Sequence, residues 1–290
     1  MDLISKNFRK LIVLLFCVVF VIILCSCTDS KSTSIENSGQ SKSVKAHYQV
    51  TYGKDTYRSF TIDNVLHTDE NSDIHFNMYV PKSYDGKDKY ALYLTLPGYE
   101  GLYFQGVGVN LHQEDFAFQA MNYNRKMIIV APQLNGWDEN SANETIALTE
   151  YLLSEYNIDK TKVYINGYSG GGETASIAVS KRPDLYSAYL QVSSQWDGEY
   201  ESVAKSHLPV YIAIGKDDEY YGSAKSQQAY DTLYDLYKKQ GLSKSQIDKI
   251  LVLDIKNNDY FVERNAPNQH GGGGLFAKDK EIMGWLFGEH

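Results

Sequence analysis

Cysteine is scarce, with three in 290 residues, all within the first 27 positions, which excludes a disulfide-stapled scaffold. Proline is rarer than average at six residues, and the 22 glycines follow no regular period, so the chain is not collagen-like. Cations are outnumbered, 28 Lys and Arg against 36 Asp and Glu, and a net charge of −8 disfavours nucleic acid as a partner. No metal-ligand spacing, phosphate-cradling glycine loop or dinucleotide fingerprint occurs, so neither a cofactor nor a metal is expected. No internal repeat is evident. What the chain does have is apolar content: 43% hydrophobic residues, too many for a disordered chain and enough for an unassisted core.

Only one long apolar run exists. Leu11–Leu24 is uninterrupted, follows Lys6, Arg9 and Lys10, and leads into Cys25, Ser26 and Cys27. A basic start, a greasy stretch and small residues read as a secretory signal, and the run is short of the roughly 20 residues of a membrane span. The end of the run, Leu24-Cys25-Ser26-Cys27, resembles a bacterial lipobox. That resemblance implies removal of residues 1–26, lipidation of Cys27, and an extracytoplasmic protein anchored to a bacterial membrane. An ordinary signal peptide or an uncleaved anchor are the alternatives. Cleavage would remove three cations and one anion, taking the charge from −8 to −10. Residues 28–45 contain six serines and no aromatics, which suits a flexible tether following the lipidated Cys27. The expected folded domain is 46–290.

From about residue 80 onward strand and helix patterns alternate. Residues 47–80 read as strands with alternating polarity. Further strands are expected at Tyr90–Leu96, Met127–Ala131, Val163–Ile165, Ala188–Val192, Pro209–Ile214 and Ile250–Ile255. Helices are expected at Glu114–Tyr123, Asn143–Tyr156, Gly170–Lys181, Ser223–Lys239 and Lys278–Phe287. Such alternation with short links predicts an α/β fold, a doubly wound and mostly parallel sheet with helices on both faces.

The sharpest motif is Gly167-Tyr168-Ser169-Gly170-Gly171, between a strand and a helix. A G-x-S-x-G pattern in that setting forms a tight, strained turn whose flanking glycines avoid collisions and whose serine stands clear of the sheet. The hydroxyl needs a base and the base an orienting acid. Later loops supply candidates. Gly215-Lys216-Asp217-Asp218-Glu219 follows one strand, and Asn268-Gln269-His270-Gly271 precedes the closing helix. The order Ser169, Asp218, His270 is the one such hydrolases use. Asp218 is preferred to Asp217 by its position three residues after Gly215, with Asp217 left open, and Glu219 is expected on a solvated face. The oxyanion donors would be the backbone N–H groups of Gly170 and Tyr99, the latter in the loop Pro97-Gly98-Tyr99-Glu100-Gly101.

These residues resemble the α/β-hydrolase superfamily. The likeness spans about Tyr90–Phe287 and is nearest its secreted esterase branch of feruloyl, acetyl-xylan and polyhydroxybutyrate depolymerase-like enzymes, with prolyl-oligopeptidase-type catalytic domains also similar. The resemblance implies that Ser169 is nucleophile, His270 general base and Asp218 orienting acid. Pro97 departs from the histidine that commonly precedes the glycine in relatives, which bears on the shape of the oxyanion loop. The link between Val192 and Pro209 is too short for the helical lid many relatives insert, so no large lid domain and an open cleft are expected. Aromatics in the surrounding loops include Tyr99, Tyr103, Phe104, Trp137, Trp196, Tyr220 and Tyr221. Trp137, Trp196 and Tyr220 are candidates for stacking on substrate. The leading expectation is a lipid-anchored serine esterase acting on small or polymeric esters. The alternatives are a prolyl-oligopeptidase-type serine peptidase, against which the short stretch between tether and core sheet counts, and a non-catalytic binding lipoprotein.

Overall fold

The computed structural model describes residues 48–69 and 73–288. Residues 1–26, Cys27 and the tether 28–45 lie outside them, so the expectations placed on those segments stand as sequence readings.

Among the described residues ten strands form one sheet. They are β1 (Gln49–Thr51), β2 (Thr56–Tyr57), β3 (Phe60–His67), β4 (Ile74–Tyr79), β5 (Tyr90–Leu96), β6 (Met127–Pro132), β7 (Ile158–Tyr168), β8 (Ala188–Val192), β9 (Val210–Gly215) and β10 (Leu251–Lys256). The order is β1-β3-β4-β6-β5-β7-β8-β9-β10, with β2 paired to β3. The first four strands join antiparallel, β4 meets β6 antiparallel, and β5 through β10 run parallel to one another. Burial follows from that division. Strand β3 alternates buried and half-buried residues, as expected where one face is covered, whereas every residue of β5 is buried.

In β5 the side chains of Leu92, Leu94 and Leu96 join one core and those of Ala91 and Tyr93 the other. The period of two along the strand thus feeds both layers. The helices are α1 (Asn110–Gln113), α2 (Phe116–Ala120), α3 (Glu139–Glu155), α4 (Gly170–Lys181), α5 (Tyr200–Ser206), α6 (Ser223–Lys239), α7 (Lys244–Ile250), α8 (Asn258–Val262) and α9 (Lys280–Leu286). Leu148 and Leu152 of α3, Ala175 and Val179 of α4 and Leu233 of α6 cover one face. Phe116 of α2 and Ile282, Met283 and Leu286 of α9 cover the other.

Three helix readings need correction. The expected helix Glu114–Tyr123 is broken: α1 ends at Gln113, and Glu114 is extended (φ −132°, ψ 139°) before α2 begins. Helix α3 starts at Glu139 rather than at residue 143, because the Asp138 side chain caps it by accepting from the N–H groups of Asn140 and Ser141. Helices α1, α5, α7 and α8 are additions to the expected set, although the capping box of α7, Ser243 with Gln246, is written in the sequence. Between β8 and β9 only α5 intervenes, so no helical lid is inserted there.

Candidate active site

The carboxyl ends of the parallel strands open on one edge of the sheet. At the end of β7 Ser169 adopts φ +53° and ψ −126°, a conformation costly for any residue with a side chain. Its neighbours explain why the turn can be so tight. A Cβ on Gly167 would lie 2.1 Å from the carbonyl oxygen of Gly171, and one on Gly171 would lie 2.4 Å from that of Leu96 in β5. No side chain fits at either place. The turn is tied down by Ser169 N–H donating to Val192 O (3.0 Å) and by Ser194 Oγ donating to Ser169 O (2.6 Å).

The structure brings Ser169, His270 and Asp218 together. Ser169 Oγ lies 3.1 Å from His270 Nε2, across 101 residues of chain. His270 Nδ1 lies 3.0 Å from Asp218 Oδ2 and 3.2 Å from Oδ1. A carboxylate accepts only, so Nδ1 carries the proton and Nε2 is left to accept from the serine hydroxyl. The Asp218 side chain is fully buried and also accepts from the N–H groups of Tyr220 and Tyr221. Asp217, by contrast, is exposed, and its backbone N–H donates to Gln269 Oε1.

Supports appear that the sequence did not announce. Glu219 is exposed as expected, yet its carboxylate does more than face solvent. It accepts from His270 N–H (2.8 Å) and Gln269 N–H (3.1 Å) and so holds the loop carrying the histidine. Partial burial would push its pKa up, but those two N–H groups outweigh it and hold the carboxyl below its ordinary value. Tyr168, the unspecified residue of the motif, donates its hydroxyl to His270 O (2.8 Å) and stacks on the imidazole. Tyr221 donates to Glu173 Oε1 (2.6 Å).

Gly98 runs close over the serine, since a Cβ there would meet Tyr168 at 3.1 Å and the Ser169 Cβ at 3.2 Å. Tyr99 begins a 3-10 turn and Gly170 begins α4, and N–H groups in a first helical turn have no partner within it. Both residues line the same cavity as Ser169 and His270. That cavity has a volume of about 720 Å³, and neither lysine nor arginine is among its lining residues. Its carboxylates are Glu100 and Glu114. Among the described residues no group of three or more His, Cys, Asp or Glu is placed to hold a metal.

The aromatic candidates divide. Trp137 and Tyr220 line the cavity and are 42% and 78% exposed; Tyr99 and Tyr221 line it too. Phe104 packs against Tyr99 in a neighbouring hollow, and Tyr103 stacks on His75 away from the serine. Trp196 is a correction. It is buried, its indole N–H donates to Gly198 O, and its ring stacks on Tyr200 and meets the edge of Tyr189. The chain turns inward after β8, and Trp196 fills the core beneath α5 instead of facing substrate.

Sheet order, helix layers and elbow together define an α/β-hydrolase fold. Residues 134–253 match the prolyl oligopeptidase family, a stretch that contains Ser169 and Asp218 but not His270. Among solved structures, a thermostable esterase superposes with a TM-score of 0.63 at 21% identity, over 79% of this chain and 62% of that one. Oligopeptidase B from Leishmania major gives 0.52 at 13% identity, over 82% of this chain and 37% of that one. Est1E from Butyrivibrio proteoclasticus gives 0.50 at 13%, over 79% and 97%. This chain therefore spans under two thirds of the length of the first two, and at these identities the likeness is one of fold. No curated protein matches the sequence.

Proposed function

We propose that the protein is a serine hydrolase that cleaves carboxylic esters through an acyl-enzyme. The observation that carries this reading is the line from Ser169 Oγ through His270 to the buried Asp218, at 3.1 and 3.0 Å. As Oγ attacks the ester carbonyl carbon, His270 Nε2 takes the hydroxyl proton and Asp218 steadies the imidazolium. The carbonyl oxygen becomes negative and is met by the N–H groups of Tyr99 and Gly170, each donor worth a few kcal/mol. Collapse breaks the bond to the leaving alcohol, which receives the proton from Nε2. Water then repeats the sequence on the acyl-enzyme, with His270 again as base, releasing the acid and restoring Ser169.

Exposed rings at the rim, Tyr99, Trp137 and Tyr220, and the absence of an inserted lid between β8 and β9 favour bulky esters, including those on polysaccharides. The lipobox-like sequence at Cys27 supports a lipoprotein on a bacterial membrane, outside the cytoplasm. The match to the prolyl oligopeptidase family favours a second reading, peptide hydrolysis by the same three residues.

A fluorophosphonate probe should label the protein, and Ser169→Ala should abolish labelling and lower kcat by at least about 10⁴-fold. A folded, unlabelled wild type would overturn the hydrolase reading and leave a binding protein. Short p-nitrophenyl esters should turn over far faster than prolyl-peptide anilides; the reverse would install the peptidase. Mass spectrometry of the mature amino terminus should find lipid on Cys27, and an unmodified start elsewhere would end the anchor proposal.

A further inference from the structure

One buried acid beside the site takes no part in the chemistry just described. Glu114 is 9% exposed, lines the cavity that contains Ser169, and accepts a hydrogen bond from Gly98 N–H at 2.8 Å through Oε1. Its backbone is extended where a helix was expected, and this break lies between α1 and α2 beside the loop at Gly98. Gly98 in turn runs so close to Ser169 that an added Cβ would lie 3.2 Å from the serine Cβ, and it precedes Tyr99. Resting on the hydrolase reading, we propose that Glu114 is the positioning residue of the oxyanion loop, fixing the Gly98 N–H so that the next one, of Tyr99, faces the Ser169 hydroxyl.

The surroundings decide in which form it does so. Behind Glu114 a small hollow is lined by Thr95, Pro97, Asn110, Leu111, Ala117 and Ala131, none of them charged. In front stand Glu100, the phenol of Tyr168, and His270 across the cavity, while the phenol of Tyr93, buried in the core, is close enough to sense the Glu114 charge. Asp115, the next residue in the chain, is engaged at 2.8 Å with Lys278. Burial pushes the Glu114 carboxyl up to about 8, the Gly98 N–H only partly offsets this, and Glu100 adds to it. At neutral pH Glu114 is therefore the uncharged acid, with Oε1 accepting from Gly98 and the proton on the other oxygen. Ionisation would set a full negative charge beside the place where the substrate oxygen becomes negative, and catalysis would fall.

Esterase kinetics on p-nitrophenyl acetate from pH 6 to 10 test this. Wild-type kcat/KM should drop about tenfold between pH 7.5 and 9.5. Glu114→Gln keeps an acceptor for Gly98 and cannot ionise; it should lose that alkaline fall while keeping at least about a third of kcat at pH 7. Glu114→Ala should lower kcat about 30- to 100-fold with KM changed less than about threefold. An alkaline fall unchanged in Glu114→Gln, or full kcat in Glu114→Ala, overturns the proposal. A second readout needs no turnover. The Gly98 amide resonance of ¹⁵N-labelled protein should shift with a midpoint near pH 8 in the wild type and stay still in Glu114→Gln. A motionless wild-type amide refutes the role of Glu114, whereas a moving amide in a protein that hydrolyses no ester refutes the hydrolase reading alone.

Discussion

The two walls of the cleft are built on different plans. The wall that carries Ser169, Gly167 to Gly171, is nearly self-contained: steric exclusion at two glycines and a strand running into a helix dictate the pose of Ser169. The facing wall, the loop from Pro97 to Phe104 with Trp137, is held by polar side chains from distant segments. Glu114 fixes Gly98, Gln133 accepts from Gly108 N–H and donates to Gly101 O, and Asn110 donates to Ala131 O and Pro132 O. Asn77 of β4 donates to Asn110 Oδ1, tying this wall to the antiparallel end of the sheet. A wall made by sterics leaves a short motif in the sequence. One made by long-range hydrogen bonds leaves scattered residues that look ordinary alone.

The largest expected effect breaks the link between the walls and the base. Asp218→Asn should lower kcat about 10⁴-fold by removing the acceptor that fixes the His270 tautomer, whereas Asp217→Asn should stay within about twofold. Steady-state kinetics on one ester decide, and a reversed ranking would move the acid's role to Asp217. Next come the tryptophans. Trp196→Ala should destabilise by about 3–5 kcal/mol in chemical denaturation with KM little changed. Trp137→Ala should alter KM and leave the denaturation midpoint nearly where it was, because its ring is largely at the surface.

Gly171→Ala probes the steric wall alone. Its new methyl would meet the backbone oxygens of Leu96 and Pro97 at 2.4 and 2.6 Å, atoms that cannot swing away as a side chain does. A loss of about 3 kcal/mol in stability is expected, along with activity.

Two glutamates then sharpen the comparison through pH. Glu114 has its folded pKa raised from 4.5 to about 8, so the native state holds the proton more tightly and stability falls as pH rises through that window. Glu114→Gln should therefore gain on the wild type from pH 4.5 upward, by about 2 kcal/mol at pH 6. Glu219 is shifted the other way, below 4.5, by the N–H groups of His270 and Gln269. Its stabilisation is present above its ordinary pKa and is lost as pH falls through the depressed one, so Glu219→Gln should differ least from wild type in acid. Thermal melts of both variants across pH 3 to 8 check the opposite signs.

Much of this layout is legible in the amino-acid order. The strands at Tyr90–Leu96 and Ala188–Val192 and the helices at Gly170–Lys181 and Ser223–Lys239 have the bounds expected from hydrophobic period and glycine punctuation. Less legible were the ends set by side-chain caps, such as Asp138 at α3, and the fate of single aromatics. Trp137 and Trp196 both follow a strand of the parallel sheet, and nothing local says that one ring lies at the cleft and the other in the core.

By itself the sequence determined the α/β alternation, the strained elbow at Ser169 and a histidine and acid late in the chain, because each depends on neighbours within a few residues. Only the tertiary structure decided that Asp218 rather than Asp217 meets His270, that Glu219 clamps the histidine loop, and that Glu114 grips Gly98. Those are pairings across 16 to 52 residues, made among loops at the carboxyl ends of β5 and β9, strands that β7 and β8 separate in the sheet, and loops from elsewhere. Hydrogen bonds of that span are set by where the sheet delivers the backbone, and no local pattern of residues encodes their geometry.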